Sequence, residues 1–189
     1  GCAKYAVELL KKAGVDFTIL ADEPSSGYSM DFLVGASAET KAVMEKCAKA
    51  LEGFKTVICY DPADAKVMMR EYKEWGIELK PEVVTFTAFL ADLIKSGKIA
   101  PKKSAASFTP HESPLLSRDL EETEPVREIL SACGDVVEMH LNRQYSVLAG
   151  NLIMNEYMPE VMEEVAKNRW VNAANMDAKT VVTVSPAEY

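Results

Sequence analysis

The sequence contains little cysteine: its 189 residues include only four, Cys2, Cys47, Cys59 and Cys133. These four lie far apart, and no two of them form a C-x-x-C pair. This spacing argues against the disulfide framework of a small secreted protein. We therefore expect reduced thiols and a cytoplasmic protein.

The sequence also has no long apolar run and no excess of positive charge. The longest apolar stretch, from Val83 to Ile94, carries Asp92 and is too short to span a bilayer. The amino terminus shows no charged and then apolar signal segment. A formal net charge of -8 argues against a basic face for nucleic acid or an anionic membrane. We expect neither nucleic-acid binding nor membrane insertion.

Two common enzyme motifs are missing as well. No G-x-G-x-x-G follows a predicted strand, which argues against a dinucleotide site. The chain has only two histidines, His111 and His140, so a Ser–His–Asp arrangement has no support in the sequence.

Apolar residues recur with helical and strand periodicities that alternate along the chain. The patterns predict helices over residues 3–14, 40–53, 62–75, 88–95, 125–134 and 159–175. They predict strands over residues 15–20, 56–60, 105–108, 136–140 and 180–184, and a short strand near residue 83. This alternation is typical of the α/β class, and we expect two pseudo-symmetric βαβ-type halves with mostly parallel sheets.

Two kinds of loop each occur twice. Gly27 follows Ser25 and Ser26, and Gly150 follows Leu148 and Ala149. Each is followed by an x-P-x-x loop at the end of an apolar strand: Asp61-Pro62-Ala63-Asp64 and Ser185-Pro186-Ala187-Glu188. The two loop types are 34 residues apart in the first case and 35 in the second. The near-equal spacing predicts an internal duplication of about 90 residues. We expect a first half over 1–98, a connection over 99–104, and a second half over 105–189, forming one compact unit.

With cysteine at the flanking positions, these loops would spell CCG … CPxC … CCG … CPxC. The pattern resembles the cysteine-rich CCG domain of heterodisulfide-reductase-type iron–sulfur proteins, a group that includes lactate, glycolate and glycerol-3-phosphate oxidation subunits. Three further stretches fit the resemblance. Gly35 matches a glycine eight residues beyond the first CCG, the segment from His111 to Arg118 is similar to H-D-P-C-x-L-G-R, and Asn142-Arg143 is similar to the lead-in to the second CCG.

The resemblance implies which positions would hold cluster ligands, and none of them is cysteine. The vacated ligand positions are Ser25, Ser26, Asp61, Asp64, Pro114, Leu148, Ala149, Ser185 and Glu188. Thiolates hold iron–sulfur clusters because their soft, charged sulfur matches the metal. The side chains of Leu, Ala and Pro cannot bind iron. We expect a degenerate member of the family, with no iron–sulfur cofactor, no bound metal and no catalytic residue in this chain.

The acidic residues of the first x-P-x-x loop allow two interpretations. Asp61 and Asp64 are three residues apart at a predicted helix start and could share a hard-metal site with Ser25 or Ser26. Alternatively, they cap the helix and interact with its dipole, which needs no metal.

His111 and Cys59 are each open to a chemical and a structural interpretation. His111, beside Glu112, could act as a base or proton relay, or its hydrogen bonds could order a loop. Cys59 could be a thiol activated by a nearby helix amino terminus, or a small buried core residue. Cys47 and Cys133 fall on apolar helix faces and predict core positions.

The leading functional hypothesis is a structural or docking module of an electron-transfer complex, with iron–sulfur or flavin subunits as neighbours. One alternative is part of an active iron–sulfur oxidoreductase whose clusters lie on sequence outside this chain. A second alternative is binding of a small molecule or divalent ion in the vacated loops.

Overall fold

The computed structural model describes residues 2–176 and 179–189. The chain divides into two compact units, Gly1–Ala100 and Pro101–Tyr189. That these units are pseudo-symmetric halves of one duplication stays a prediction. Among the described residues, no helix is both long enough and apolar enough to cross a bilayer.

The first unit is built around two parallel strands. Its helices and strands are α1 (Cys2–Lys12), α2 (Tyr28–Val34), α3 (Ala38–Leu51), β1 (Thr56–Cys59), α4 (Pro62–Lys66), a π-helical segment (Val67–Glu71), α5 (Tyr72–Glu74), β2 (Glu82–Thr85) and α6 (Phe86–Lys95). Strands β1 and β2 pair in parallel, with Val57 opposite Val83. Parallel strands need a long crossover, and α4, the π-helical segment and α5 provide it.

The core of the first unit forms where α3 faces the crossover. Met44, Cys47 and Leu51 recur at helical spacing on α3 and are buried. Val67 and Tyr72 of the crossover are fully buried as well. The loop after β1 lies beside the serine-containing loop before α2, and the buried Tyr72 donates a hydrogen bond to the Ser26 carbonyl oxygen.

The second unit contains a three-stranded parallel sheet in the order β4-β3-β5. Its elements are β3 (Ser107–His111), a π-helical turn (Leu115–Asp119), α7 (Glu124–Cys133), β4 (Asp135–Val136), a 3-10 turn (Arg143–Tyr145), α8 (Leu152–Tyr157), α9 (Pro159–Ala174), β5 (Thr180–Thr183) and a 3-10 turn (Pro186–Glu188). His111 ends the central strand β3 opposite Thr183 of β5. Ligand sites in parallel sheets gather at the carboxyl ends of strands, and His111 lies at that end of β3.

The α/β class with parallel strands is confirmed, and the bounds of most predicted elements agree with the structure. The strand predicted over 15–20 is wrong: no strand is assigned there, and the β1–β2 sheet has no third described member. Alternation alone cannot supply the ladder partner that a strand requires. The strand predicted over 136–140 is shorter in the structure and covers only Asp135–Val136.

Two short helices were not predicted. Helix α2 exposes Phe32, Leu33 and Val34 to solvent, so it has no apolar stripe that periodicity could detect. Helix α8 begins at a side-chain cap, because Asn151 Oδ1 accepts hydrogen bonds from the backbone N–H groups of Ile153 and Met154. Both helices depend on local contacts rather than on a periodic pattern.

Candidate functional site

In the first unit, the two serines of the Ser-Ser-Gly loop bond to the backbone that follows them. Ser25 Oγ accepts from the Gly27 N–H at 3.2 Å, and Ser26 Oγ accepts from the Tyr28 N–H at 3.3 Å. Gly27 has a φ of 93°, a left-handed conformation that favours glycine. A Cβ at Gly27 would also lie 2.8 Å from Cγ of Met44. The glycine is therefore required for both the turn and its packing.

The first x-P-x-x loop lies against these serines. The Asp61 side chain is the N-cap of α4 and accepts from the Ala63 N–H at 2.8 Å. Asp64, in the first turn, accepts a hydrogen bond from Ser26 Oγ at 2.5 Å. The Tyr72 hydroxyl donates to the carbonyl oxygen of Ser26 at 2.8 Å. The capping interpretation of Asp61 is confirmed, and Ser26 and Asp64 satisfy each other.

The second unit repeats this arrangement with different side chains. Ser185 is the N-cap of the last 3-10 turn, and its Oγ accepts from the Ala187 N–H at 3.3 Å. The Ala149 N–H donates to Glu188 Oε1 at 3.4 Å. A Cβ at Gly150 would lie only 2.2 Å from the carbonyl oxygen of Ala187. The glycine therefore allows the two loops to meet backbone to backbone.

Glu188 continues into a buried group of polar side chains at the end of β3. Its Oε1 lies 3.5 Å from His111 Nε2, and the two side chains are only 1% and 2% exposed. The other ring nitrogen, Nδ1, accepts a hydrogen bond from Arg169 Nε of α9 at 2.9 Å. Arg169 Nη1 donates to the carbonyl oxygen of His140 at 2.8 Å. His111 is therefore a buried bridge between a carboxylate and a guanidinium.

Glu112, the neighbour of His111, holds a second buried ion pair. Its carboxylate contacts Arg127 of α7 and accepts from the backbone N–H of Arg143 at 3.1 Å. Its carbonyl oxygen accepts from Ser146 Oγ at 2.6 Å. Arg127 also forms a two-bond fork with the Glu138 carboxylate, at 2.6 and 2.8 Å. These bonds order the loop before Gly150. They support the structural interpretation of the segment at His111 and Glu112, in which hydrogen bonds order a loop.

Three of the vacated positions, Pro114, Leu148 and Ala149, offer no polar side chain to the site, and Ala149 contributes only its backbone N–H. Pro114 immediately precedes the π-helical turn at Leu115, and Leu148 lies in the loop between the Arg143–Tyr145 turn and Gly150. Both are partly buried. Neither can contribute a metal ligand or a proton.

The cysteines nearest the loops are core residues. Cys59 is buried at the end of β1, and burial, with a smaller contribution from Asp64, raises the pKa of its thiol to about 12. Burial likewise raises the pKa of the Cys47 thiol. The core interpretation of Cys59 and Cys47 is confirmed, because burial outweighs the nearby helix amino terminus. Cys133 is partly exposed and Cys2 is exposed.

The side chains at the nine vacated positions do not fit an iron–sulfur cluster. They supply hydroxyls, carboxylates and apolar groups, whereas such clusters are held by thiolates. Among the described residues, no three His, Cys, Asp or Glu side chains converge into a group that could hold a metal ion. The carboxylates of Asp64 and Glu188 are instead directed at hydrogen-bond donors of the facing loop.

The sequence did not single out Arg169 and Arg127 as site residues. Both are buried, at 4% and 6% exposure, and the other buried residues of their helices are apolar. Arginine is rarely buried unless it is paired, so sequence offers little signal for such positions. The closest signal is the presence of Glu112 beside His111.

No family model matches the chain. It is 31% identical over 185 residues to the probable iron-sulfur-binding oxidoreductase FadF of Bacillus subtilis, covering 94% of this chain and 25% of that protein. It is 28% identical over 190 residues to one subunit of the dihydromethanophenazine:CoB–CoM heterodisulfide reductase of Methanosarcina acetivorans, covering 94% and 46%. It is 23% identical over 144 residues to one subunit of the fumarate reductase (CoM/CoB) of Methanothermobacter marburgensis, covering 76% and 29%.

The chain thus spans between a quarter and just under half of the length of these curated relatives. Two of the matches extend over nearly the whole chain, across both units. The chain is thus similar to portions of an iron–sulfur-binding oxidoreductase and of a heterodisulfide reductase subunit.

Proposed function

We propose that this chain is a degenerate CCG-type domain that acts as a structural or docking module of an electron-transfer complex. The observation that carries the proposal is a hydrogen bond between the same two loop positions in both units, donated by the Ser26 hydroxyl in the first and by the Ala149 backbone N–H in the second. The residue before the glycine bonds to the last residue of the x-P-x-x loop: Ser26 to Asp64, and Ala149 to Glu188. Hydrogen bonds therefore hold together the loops that the resemblance assigns to cluster binding.

The equivalence of these contacts also supports the proposed duplication. The paired residues are 38 positions apart in the first unit and 39 in the second. In each unit a capping side chain, Asp61 or Ser185, begins the helical turn, and proline follows it. Unrelated loops would have no reason to share this spacing, cap and contact.

The names of the relatives support the electron-transfer context. They are an iron–sulfur-binding oxidoreductase and subunits of a heterodisulfide reductase and a fumarate reductase. A fourth relative, from Syntrophomonas wolfei, is named EtfAB:quinone oxidoreductase and is 27% identical over 148 residues. We propose that iron–sulfur or flavin subunits are the neighbours of this chain.

Metal analysis of anaerobically purified protein tests the proposal. We expect iron and acid-labile sulfide far below one equivalent per chain, and no visible charge-transfer absorption. Stoichiometric iron and sulfide would overturn the proposal. Expression in an iron-replete strain alongside an intact cysteine-ligated protein provides the positive control.

A matched variant tests the assignment of positions separately. Replacing Ser25, Ser26, Asp61 and Asp64 together with cysteine supplies four thiolates, the number that a cubane cluster needs. We expect this variant to acquire iron and sulfide on anaerobic reconstitution while the unmodified chain does not. If the variant folds and binds no iron, the assigned positions are wrong even when the unmodified chain is iron-free.

A second candidate function follows from the coverage of the relatives. Because the chain matches only 25% to 46% of two relatives that it aligns with almost completely, it could be one portion of a larger active oxidoreductase. In that case the clusters would be bound by other sequence. Paired C-x-x-C-x-x-C motifs in the same gene would favour this candidate, and their absence from the full gene would favour the docking module.

A further inference from the structure

The buried polar group of the second unit contains more donors than its bonds use. Arg169 has two of its nitrogens engaged, with His111 and with the carbonyl of His140. Its Nη2 is buried and has no hydrogen-bond partner among the described residues. His111 Nε2 and Glu188 Oε2 are also buried and have no hydrogen-bond partner among the described residues. Unsatisfied buried polar atoms are rare in folded proteins, so three of them in neighbouring side chains need a physical explanation.

The hydrogen bonds fix which atoms can act as donors. Arginine only donates, so His111 Nδ1 must be the acceptor of the 2.9 Å bond from Arg169. The ring proton then resides on Nε2, which faces Glu188 Oε1 at 3.5 Å. The Ala149 N–H faces the same oxygen at 3.4 Å. The Ala149 N–H therefore donates one long hydrogen bond to this oxygen, whereas the His111 N–H interacts with it electrostatically without forming a hydrogen bond.

Charge explains why a carboxylate belongs in this place. Burial lowers the pKa of Arg169, while the carboxylates of Glu112 and Glu188 act in the opposite direction. Glu112 already bonds to Arg127 and to the backbone of Arg143. Glu188 is therefore the carboxylate that remains to balance Arg169, and an unbalanced buried charge is strongly unfavourable.

We propose that the second unit contains a carboxylate-binding site, formed by His111 Nε2, the Ala149 N–H and the charge of Arg169, which the chain fills with its own Glu188. The site takes a small monocarboxylate when the Glu188 side chain is removed. The inference rests on the proposed function in one respect: the resemblance places a cluster ligand at position 188. An internal organic anion then occupies the position where a cluster-binding relative would present a thiolate.

Chemical rescue of Glu188→Ala tests the site. We expect the melting temperature to fall by roughly 10 °C, because the buried Arg169 loses its counter-charge. Sodium formate should raise the melting temperature of this variant progressively, whereas sodium chloride at equal ionic strength should not. Glu156→Ala, at an exposed glutamate of α8, is the matched control and should melt like the unmodified protein in both salts. A variant that melts at the normal temperature, or that formate does not rescue, overturns the proposal.

A second variant keeps the test decisive if Glu188→Ala does not fold. Glu188→Gln retains the volume and one acceptor oxygen but removes the charge, so we expect a lowered melting temperature that formate leaves unchanged. A Glu188→Gln protein as stable as the unmodified one overturns the charge argument. Iron content distinguishes the two proposals: iron in the unmodified protein contradicts the degenerate module, whereas failure of rescue in iron-free protein contradicts only the carboxylate site.

Discussion

Gly150 sets the distance between two loops of the second unit, and an alanine at this position would force them apart. The added Cβ would lie 2.2 Å from the carbonyl oxygen of Ala187 and 3.0 Å from the Cα of Glu188. Both neighbours are backbone atoms, so no side-chain rotation can relieve the overlap. The loop at residues 185–188 must move by about 1 Å to restore van der Waals contact. This movement separates the Glu188 carboxylate from His111 and Ala149.

Three energy terms, one stabilising and two destabilising, decide the outcome. Replacing glycine with alanine stabilises a protein by about 0.4–1 kcal/mol when the native backbone tolerates it, because the unfolded chain loses freedom. Forcing packed atoms apart costs about 1–3 kcal/mol, and loosening a buried carboxylate costs about 1–3 kcal/mol more. We therefore expect Gly150→Ala to lower the free energy of unfolding by about 1–5 kcal/mol.

Urea denaturation followed by circular dichroism measures this loss. Gly53→Ala is the matched control, because no atom lies within 4 Å of the Cβ position at Gly53 and its φ is outside the left-handed region. We expect the control to be unchanged or slightly more stable. If Gly150→Ala is also as stable as the unmodified protein, the close approach of the two loops is wrong.

Two further predictions concern thiols and the second buried ion pair. Since Cys2 is exposed and burial raises the pKa of Cys59 to about 12, an aromatic disulfide reagent at neutral pH should modify Cys2 rapidly and Cys59 only after unfolding. Equal labelling rates in the native protein would contradict the core position of Cys59. Arg127→Met removes the cation that pairs with the buried Glu112 carboxylate. We expect the free energy of unfolding, measured by urea denaturation, to fall by about 3–5 kcal/mol. Lys167→Met removes a solvent-exposed ion pair and should change stability little, so similar midpoints for the two variants would refute the argument.

The parts of the fold that sequence predicted are those with strong periodicity. Helix α3 shows Met44, Cys47 and Leu51 on one face, and β1 is a continuous apolar run before a proline loop. The unpredicted helix α2 depends on the turn at Gly27 and exposes its apolar residues. The false strand at 15–20 alternates like a strand, but pairing is a tertiary property that alternation does not encode.

The candidate site was predictable to the level of its loops and no further. Spacing along the chain identified the two loop types in each half, and the structure adds the contacts between them, Ser26 with Asp64 and Ala149 with Glu188. Arg169 supplies the buried positive charge beside the second pair. It lies 58 positions beyond His111, to which it donates a hydrogen bond. A buried arginine on a helix without a clear apolar stripe looks like a surface residue in sequence.

The two units place a carboxylate at the same position but satisfy it differently. In the first unit the Asp64 carboxylate receives the Ser26 hydroxyl, a neutral donor close enough for a short bond. In the second unit Ala149 offers only its backbone, and Glu188 instead faces the imidazole of His111, with Arg169 behind it. The neutral hydroxyl of Ser26 is sufficient as a donor to Asp64, whereas in the second unit the buried Arg169 needs a negative charge nearby. An apolar residue should therefore be tolerated at position 64 far better than at position 188, although the resemblance assigns both to the last cysteine of the same motif.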